Sequence, residues 1–354
     1  MVTTESSISQ VKKRSKKEGR QHWKAQKFVV VYGTNSSGYS QVESDFALWT
    51  QEFRIYPWAW ALPEISAAKY RKDQHFGPFI RALQYFSTTV PASKPFDRAE
   101  RLLSNYLISQ FQDGFVEQWV QNRNILIGSD LFSYILDEQN GEDFLDKLTE
   151  TLPWNDPRYS LLTEGEVSVV ILHRSDHQEH LKDLWSKSII GGNELSETKK
   201  FSSWLVNDFN FDAFDSYSLA YTAIKKGISV SFVNVREIEG DLSHYIFCNV
   251  LMFACTDGHV TGVTSPEQES TQTIEDENFD LDAAKLSEIE TAIKKHESLF
   301  EQCLQNDVKF QIYPRRKSKR RWSVDSSSSL TLEACPESNR STKDEIRSTI
   351  VQNE

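Results

Sequence analysis

The sequence predicts an α/β protein with a mostly parallel sheet, flanked by helices in three layers, and with disordered charged segments at both ends. Short unbroken runs of β-branched and aromatic residues recur along the chain, and stretches with helical periodicity lie between them. Such runs are typical of strands buried on both faces, as in a parallel sheet covered by helices. Hydrophobic residues make up 38% of the chain and aromatic residues 12%, which is enough for a sizeable core.

The first predicted unit is a strand, a loop and a helix. Residues 28–32 read Phe-Val-Val-Val-Tyr, which predicts a buried strand, and residues 33–40 follow as a loop of small residues. The helix after this loop is predicted from apolar residues at helical spacing, namely Val42, Phe46, Trp49 and Phe53. The Pro- and Trp-rich residues 56–63 predict no regular element, and two interpretations remain open for them: a lid packed on the core, or the lining of a cleft.

The same alternation continues to residue 313. Further strands are predicted at 125–127, 167–172 and 228–233, with an edge strand at 309–313. Helices are predicted at 131–136, around 181–185, at 217–226, around 245–254 and at 286–304. Gly227 has the position of a residue that ends a helix.

Charge divides the chain into a body and two ends. Residues 1–27 carry eight Lys and Arg against two Glu, and residues 314–321 hold six Lys and Arg before a Ser-rich stretch. Since blocks of like charge repel one another and bury nothing, we expect 1–27 and 314–354 to be disordered around a single domain at 28–313. The nine acidic residues of 265–290 predict a solvated acidic loop at about 265–282.

Composition excludes several classes of protein. No apolar run approaches the roughly 18 residues of a membrane helix, so no membrane span is expected. The four Cys form no CxxC pair, which argues against a disulfide scaffold and a structural zinc site, and we expect Cys248 and Cys255 to be buried apolar residues. These features predict a cytoplasmic protein, with the nucleus as the alternative that the basic clusters suggest. The net charge of −11 argues against nucleic acid as a partner, whereas the charged ends suit protein partners.

Ligands of parallel sheets bind at the carboxyl ends of the strands, so the loops there are candidate sites. The loop at 33–40 reads Gly-Thr-Asn-Ser-Ser-Gly-Tyr-Ser, and a Gly-rich turn between strand and helix suits a phosphate group. It matches the nucleotide-binding spacing G-x4-G-K-[ST] except that Tyr39 replaces the Lys, which disfavours an ATPase or GTPase. A turn that only packs is the alternative. Ser129 and Asp130 form the second loop, where they are also ordinary helix-capping residues.

The third loop follows strand 167–172 and reads His173-Arg174-Ser175-Asp176. An Arg at this position is well placed to bind a phosphate or sulfate group with two hydrogen bonds, and a structural ion pair with Asp176 is the alternative. His173, His177 and His180 also form H-x3-H-x2-H. Because a strand end and a helical turn do not assure a shared direction for these rings, no metal site is predicted.

Together these loops resemble the sulfotransferases that use 3′-phosphoadenylyl sulfate (PAPS), a branch of the P-loop architecture. The first loop of that family reads roughly G-P-H-K-T-G-T-T-S-L-Q, and residues 33–43 align with it without a gap. A later strand of the family ends in an Arg that contacts the 3′-phosphate, and residues 169–174 resemble this strand. Residues 125–132 resemble the strand that lies between the first loop and that later strand in the family's sequence. The similarity spans 28 to about 255, and its motif identities are Gly33, Gly38 and Arg174.

The resemblance implies a P-loop-like fold and transfer of a sulfuryl group from PAPS to a hydroxyl group of a carbohydrate or small acceptor. The residues that it implies for binding PAPS are Gly33, Thr34, Asn35, Ser36, Ser37, Gly38, Tyr39, Ser40 and Arg174. Ser36 takes the catalytic position at which the family's Lys assists the leaving group. His75 is the candidate base for the acceptor hydroxyl, with Glu64 as the alternative.

Three positions depart from the family pattern. Ser36 replaces the Lys, Tyr39 replaces a Thr, and Lys182 or Asp183 stands where a Ser binds phosphate. An Asp at that last position would repel a 3′-phosphate. The sequence therefore leaves a second hypothesis, in which the chain is a non-catalytic pseudo-sulfotransferase that acts as an interaction scaffold.

Overall fold

The computed structural model describes residues 26–33, 38, 42, 58–60, 96–129, 145, 148–191, 200–209, 211–252, 279–305, 307–314 and 340–351. The strands are β1 (Lys27–Gly33), β2 (Trp58–Trp60), β3 (Asn124–Ser129), β4 (Glu166–His173), β5 (Ser229–Asn234) and β6 (Phe310–Tyr313). The helices are α1 (Phe96–Trp119), α2 (His177–Gly191), α3 (Phe201–Asn207), α4 (Phe211–Phe214), α5 (Ser216–Lys225), α6 (Leu242–Tyr245), α7 (Ala283–Leu304) and α8 (Arg340–Val351). Short 3₁₀ helices span Pro153–Asn155, Pro157–Tyr159 and Val235–Glu237, and a π-helix spans Ile246–Val250.

The strands form one six-stranded sheet in the order β2-β3-β1-β4-β5-β6. β2 is parallel to β3, and β5 is parallel to β6. β1 and β4 begin side by side, because the N–H of Glu166 donates a hydrogen bond to the carbonyl of Gln26 (2.9 Å). The predicted α/β class with a parallel sheet is therefore confirmed.

The predicted strands at 28–32, 125–127, 167–172, 228–233 and 309–313 correspond to β1, β3, β4, β5 and β6, and β6 lies at an edge as expected. The prediction that residues 56–63 hold no regular element is wrong for 58–60. Trp58, Ala59 and Trp60 form β2 and pair with residues 124–126 of β3. Pairing with a neighbouring strand can stabilise a strand that the local sequence pattern does not predict. The helix predicted at 131–136 lies outside the described residues.

The chain divides into two compact units, the first comprising Met1–Val30, Ala47–Gly128 and Asp143–Ser168, and the second comprising Val31–Phe46, Ser129–Glu142 and Val169–Glu354. Aromatic rings form the core of the first unit. Phe28 of β1 packs against Phe111 and Phe115 of α1, at ring-centroid distances of 6.5 and 5.5 Å. One turn further, Trp119 stacks on Phe115, and its indole N–H donates to the carbonyl of Thr163 (3.0 Å). The four-residue spacing of these rings explains how α1 covers the strand.

Helices supply most of the core of the second unit. One buried apolar cluster joins α2, α3, α7 and α8, and includes Leu181, Trp185, Phe201, Trp204, Ile289, Ile293, Ile346 and Ile350. The end of the acidic segment contacts this core through Leu281, which is 6% exposed, and through the partly buried Phe279. The carboxylates beside them are exposed: Asp280 accepts a hydrogen bond from the N–H of Ser202 at the start of α3 (2.9 Å), and Asp282 caps α7. Carboxylates at helix N-termini accept hydrogen bonds from otherwise unpaired N–H groups, which explains why these two aspartates lie where α3 and α7 begin. Residues 279–282 are thus held to the core by Phe279 and Leu281, while Asp280 and Asp282 are solvated as expected; residues 265–278 lie outside the described residues.

The C-terminal helix α8 corrects a second expectation. Residues 314–354 were expected to be disordered, but residues 340–351 form a helix whose Ile346 and Ile350 are 3% and 5% exposed. These two side chains lie four residues apart, on one face, and bury against the cluster of the second unit. Burial of that face offsets the entropy of ordering a mostly polar segment. In the part of the chain that the structure describes, no helix combines the length and apolar character needed to cross a membrane.

Candidate functional site

Strand order places two of the candidate loops side by side. β1 and β4 are neighbours, but the chain leaves β1 toward β2 on one side of the sheet and leaves β4 toward β5 on the other. Ligands of open α/β sheets bind where connections diverge in this way, in the crevice outside the carboxyl ends of the strands. Both carboxyl ends, residues 31–33 and 169–173, belong to the second unit. The loops after β1 and β4 are therefore the candidate site.

The structure places Gly33 and Gly38 in the first of these loops. Gly33 is the last residue of β1, and the N–H of Val42 donates a hydrogen bond to the carbonyl of Gly38 (3.3 Å). The φ angle of Gly38 is +83°, and a Cβ atom added there would lie 2.8 Å from Cδ2 of Leu242. Both the backbone conformation and the space favour glycine at this position. Predicted binding residues that lie outside the described part of the chain are Thr34, Asn35, Ser36, Ser37, Tyr39 and Ser40.

Tyr32, just before this loop, is 2% exposed. Burial, followed by the nearby negative charge of Asp215, raises the pKa of its phenol well above the usual range. The side chain therefore stays neutral at pH 7 and cannot serve as a base there. Its ring instead anchors the end of β1 within the second unit.

Arg174 lies in the second loop, one residue after β4, and is 3% exposed. Its Nε and Nη2 donate to the two carboxylate oxygens of Asp176, at 2.9 and 2.5 Å, and its Nη1 donates to Asp183 at 2.5 Å. Asp176 precedes α2, and Asp183 lies seven residues, or two turns, further along the same helical face. The ion pair with Asp176, the alternative raised by the sequence, is present. Contact between Arg174 and a phosphate group stays a prediction.

Asp176 is shared between two guanidinium groups. Although burial alone would raise the pKa of its carboxyl group, hydrogen bonds from Arg174 and Arg236 hold that pKa well below its usual range. Asp176 is thus ionised at neutral pH, and it neutralises part of the positive charge of both arginines. A bound phosphate would compete with two carboxylates, Asp176 and Asp183, for Arg174.

The three histidines of the H-x3-H-x2-H pattern are all buried, with His173 at the end of β4 and the other two in the first turn of α2. Nε2 of His173 and Nε2 of His177 lie 3.7 and 3.0 Å from the carboxylate of Glu297 in α7. Burial lowers the pKa of His173 to about 3, with the neighbouring histidines adding to the effect. Burial raises the pKa of Glu297. Within the described ranges, no group of three or more His, Cys, Asp and Glu side chains is placed to hold a metal ion.

Sequence reasoning missed a buried hydrogen-bonded chain in the second unit. Thr342 of α8 lies 3.1 Å from Nδ1 of His296, and Nε2 of His296 lies 2.7 Å from Asp215. Asp215 also caps α5 by accepting hydrogen bonds from the N–H groups of Tyr217 and Ser218, both at 3.1 Å. The sequence signal for this cap was an Asp before a helix. The long separations of the other pairs left no signal.

The remaining predicted residues divide into two groups. Ser129 ends β3, whereas His75, Glu64, Asp130 and Cys255 lie outside the described residues. Cys248 is disulfide-bonded and half-buried, so the expectation that it is a buried apolar thiol is wrong. Comparison with known proteins found no matching family model, no matching curated protein and no matching solved structure.

Proposed function

We propose that this chain is a sulfotransferase-like protein with a P-loop-like, three-layer fold that binds PAPS in the crevice between the carboxyl ends of β1 and β4. One observation carries the proposal: the two loops that resemble the family's donor-binding motifs leave adjacent strands at the point where the chain connections diverge. The motifs are 140 residues apart in the sequence, from residue 34 to residue 174, so their meeting at this edge adds support beyond the similarity itself.

In the proposed reaction, the sulfur atom of the sulfuryl group moves from the bridging oxygen of PAPS to a hydroxyl oxygen of a carbohydrate or small acceptor. The bond to the bridging oxygen breaks, 3′-phosphoadenosine 5′-phosphate leaves, and His75 takes the acceptor's proton. Backbone N–H groups between Gly33 and Gly38 would meet the phosphosulfate. Ser36 supplies a hydroxyl group but no positive charge to the leaving oxygen, which predicts slow transfer.

A non-catalytic scaffold is the second candidate function. It is favoured by the environment of Arg174, whose guanidinium group is already bound by Asp176 and Asp183. A buried cation with two carboxylate partners has little net charge to offer a third anion. In this alternative the partners would be proteins that bind the charged ends of the chain.

Calorimetric titration of the full chain with 3′-phosphoadenosine 5′-phosphate tests the proposal. The most informative variant is Asp183→Ser, at one of the two positions that align with the family's Ser, because it removes the carboxylate to which Nη1 of Arg174 donates. Removing one negative charge near the 3′-phosphate should tighten binding about tenfold. The matched control is Lys182→Ser. In the wild-type chain the ammonium group of Lys182 pairs with Glu179, and its removal should not tighten binding.

Ser36→Lys is the corresponding variant for the first loop, and it should increase sulfuryl transfer from PAPS more than it increases binding. If the folded wild-type chain and both of these variants bind no nucleotide, the enzyme proposal is wrong and the scaffold remains. Binding that Asp183→Ser leaves unchanged would place the 3′-phosphate away from Arg174.

A further inference from the structure

The carboxyl edge of the sheet carries a second arginine, on the loop after β5. Arg236 lies in the 3₁₀ helix Val235–Glu237, two residues beyond the end of β5. β5 is the neighbour of β4, and both strands belong to the second unit along their carboxyl halves. The side chain of Arg236 is 54% exposed, whereas that of Arg174 is 3% exposed. Of these two cations, Arg236 is the more accessible to a ligand in solution.

Arg236 is held in place by the carboxylate that also binds Arg174. Its Nε and Nη2 lie 2.7 and 2.5 Å from Oδ2 of Asp176. These two contacts do not use the N–H groups of Nη1, and a guanidinium group offers five N–H donors in a fixed planar fork. The buried Arg174 fixes Asp176 from the other side, through both carboxylate oxygens. Asp176 therefore orients the exposed guanidinium group.

The backbone of Arg236 is also tied to the loop after β4. The Asn234 side chain accepts a hydrogen bond from the N–H of Arg236 (3.3 Å) and one from the hydroxyl of Ser175 (3.2 Å). The same side chain donates to Glu237 at 2.8 Å. The two loops are thus cross-linked by hydrogen bonds, and an oriented donor loses less entropy on binding than a mobile one.

We propose that Arg236 binds a phosphate or sulfate group of the nucleotide from the loop after β5, and that Arg174, besides its proposed contact with the 3′-phosphate, positions Arg236 through Asp176. This inference rests on the function proposed above. It gives the site an accessible cation that the sequence motif lacks, because Ser36 replaces Lys and Arg174 is buried. The neighbouring charges limit the affinity: Arg174 and Arg236 are balanced by Asp176 and Asp183, and Glu237 adds one further negative charge on the same loop.

The charge balance allows a test with variants of opposite expected effect. Arg236→Ala should weaken the binding of 3′-phosphoadenosine 5′-phosphate by roughly tenfold to a hundredfold, because a charge-assisted pair of hydrogen bonds is lost. Glu237→Gln keeps the hydrogen bond from Asn234 and removes a negative charge, so it should tighten binding severalfold. Adenosine, which has no phosphate, should bind Arg236→Ala and the wild-type chain equally.

Arg158→Ala is the matched control, because Arg158 is a 59% exposed arginine that also binds an Asp, Asp156, at 2.7 Å. It lies in the first unit and should leave binding unchanged. If the wild-type chain binds no nucleotide, the proposed function itself fails. If the wild-type chain binds and Arg236→Ala binds equally well, or loses adenosine to the same extent, the role of Arg236 alone is overturned.

Discussion

Replacing the buried isoleucines of α8 tests whether the C-terminal helix belongs to the folded protein. Ile346 and Ile350 are 3% and 5% exposed in the apolar cluster of the second unit. Truncation of a buried isoleucine to alanine removes transfer free energy and leaves a cavity, which together cost about 2–5 kcal/mol. We therefore expect Ile346→Ala and Ile350→Ala each to lower the free energy of unfolding by about 3 kcal/mol. The midpoint of thermal unfolding should fall by about 6–12 °C.

The assay must separate the two units, because both contain buried tryptophans. Hydrogen exchange resolved by peptide meets this need, since it reports local opening. Peptides of α7, which packs against α8, should lose protection in the isoleucine variants, whereas peptides of α1 should not. The control is Arg347→Ala on the exposed side of the same helix. If Ile346→Ala exchanges no faster than Arg347→Ala, α8 contributes nothing to the stability of the second unit and our account of its burial is wrong.

Three further predictions follow from buried groups. Burial lowers the pKa of His173 to about 3, so below about pH 6.5 this histidine is protonated in the unfolded chain but neutral in the folded chain, and the free energy of unfolding falls as the pH drops. Between pH 7 and pH 5, urea unfolding should show that the wild-type chain loses about 2 kcal/mol more of this free energy than His173→Phe. Asp215→Ala removes a helix cap and the partner of a buried histidine, and should cost about 2–4 kcal/mol by the same measurement. Gly165→Ala would place a Cβ atom 2.5 Å from the ring of Trp119, so the first unit should lose about 1–3 kcal/mol, followed by hydrogen exchange in α1.

Each of these predictions has a control in the same unfolding experiments. Parallel loss of stability in the wild-type chain and in His173→Phe between pH 7 and pH 5 would show that His173 is not the group that titrates. Asp282→Ala removes an exposed cap of α7 and should cost about 1 kcal/mol, so an equal cost at Asp215 would mean that its buried partner adds nothing. Gly240→Ala introduces backbone strain, at φ +88°, but no contact within 4 Å. An effect of Gly165→Ala no larger than that of Gly240→Ala would contradict the predicted clash.

Strands were predictable where composition alone decides them. β1 and β4 are runs of apolar residues that only a sheet covered on both faces can bury. β2 escaped prediction because three residues flanked by prolines carry too little pattern. For α1 the sequence does carry a signal, the four-residue spacing of Phe111, Phe115 and Trp119.

The helix α8 shows the limit of local pattern. Its two buried isoleucines lie in a segment that is otherwise polar, and packing of those side chains in the apolar cluster of the second unit stabilises the helix. The chain of Thr342, His296 and Asp215 shows the same limit for polar groups. Its members are 46 and 81 residues apart, so nothing in the sequence relates them before the helices are packed.

The environment of Arg174 links two residues that the sequence analysis treats separately, Arg174 and Asp183. Under the proposed function, the carboxylate of Asp183 would repel a phosphate group, whereas the guanidinium group of Arg174 would attract it. In the structure these are the two halves of one ion pair, since Nη1 of Arg174 donates to Asp183. The Asp183 carboxylate and the neutralised charge of Arg174 are therefore one ion pair, and they count as a single argument against a working donor site. Because two turns of α2 bring Asp176 and Asp183 to the same guanidinium group, the charge available to a nucleotide is set by that helix face as much as by the glycine loop.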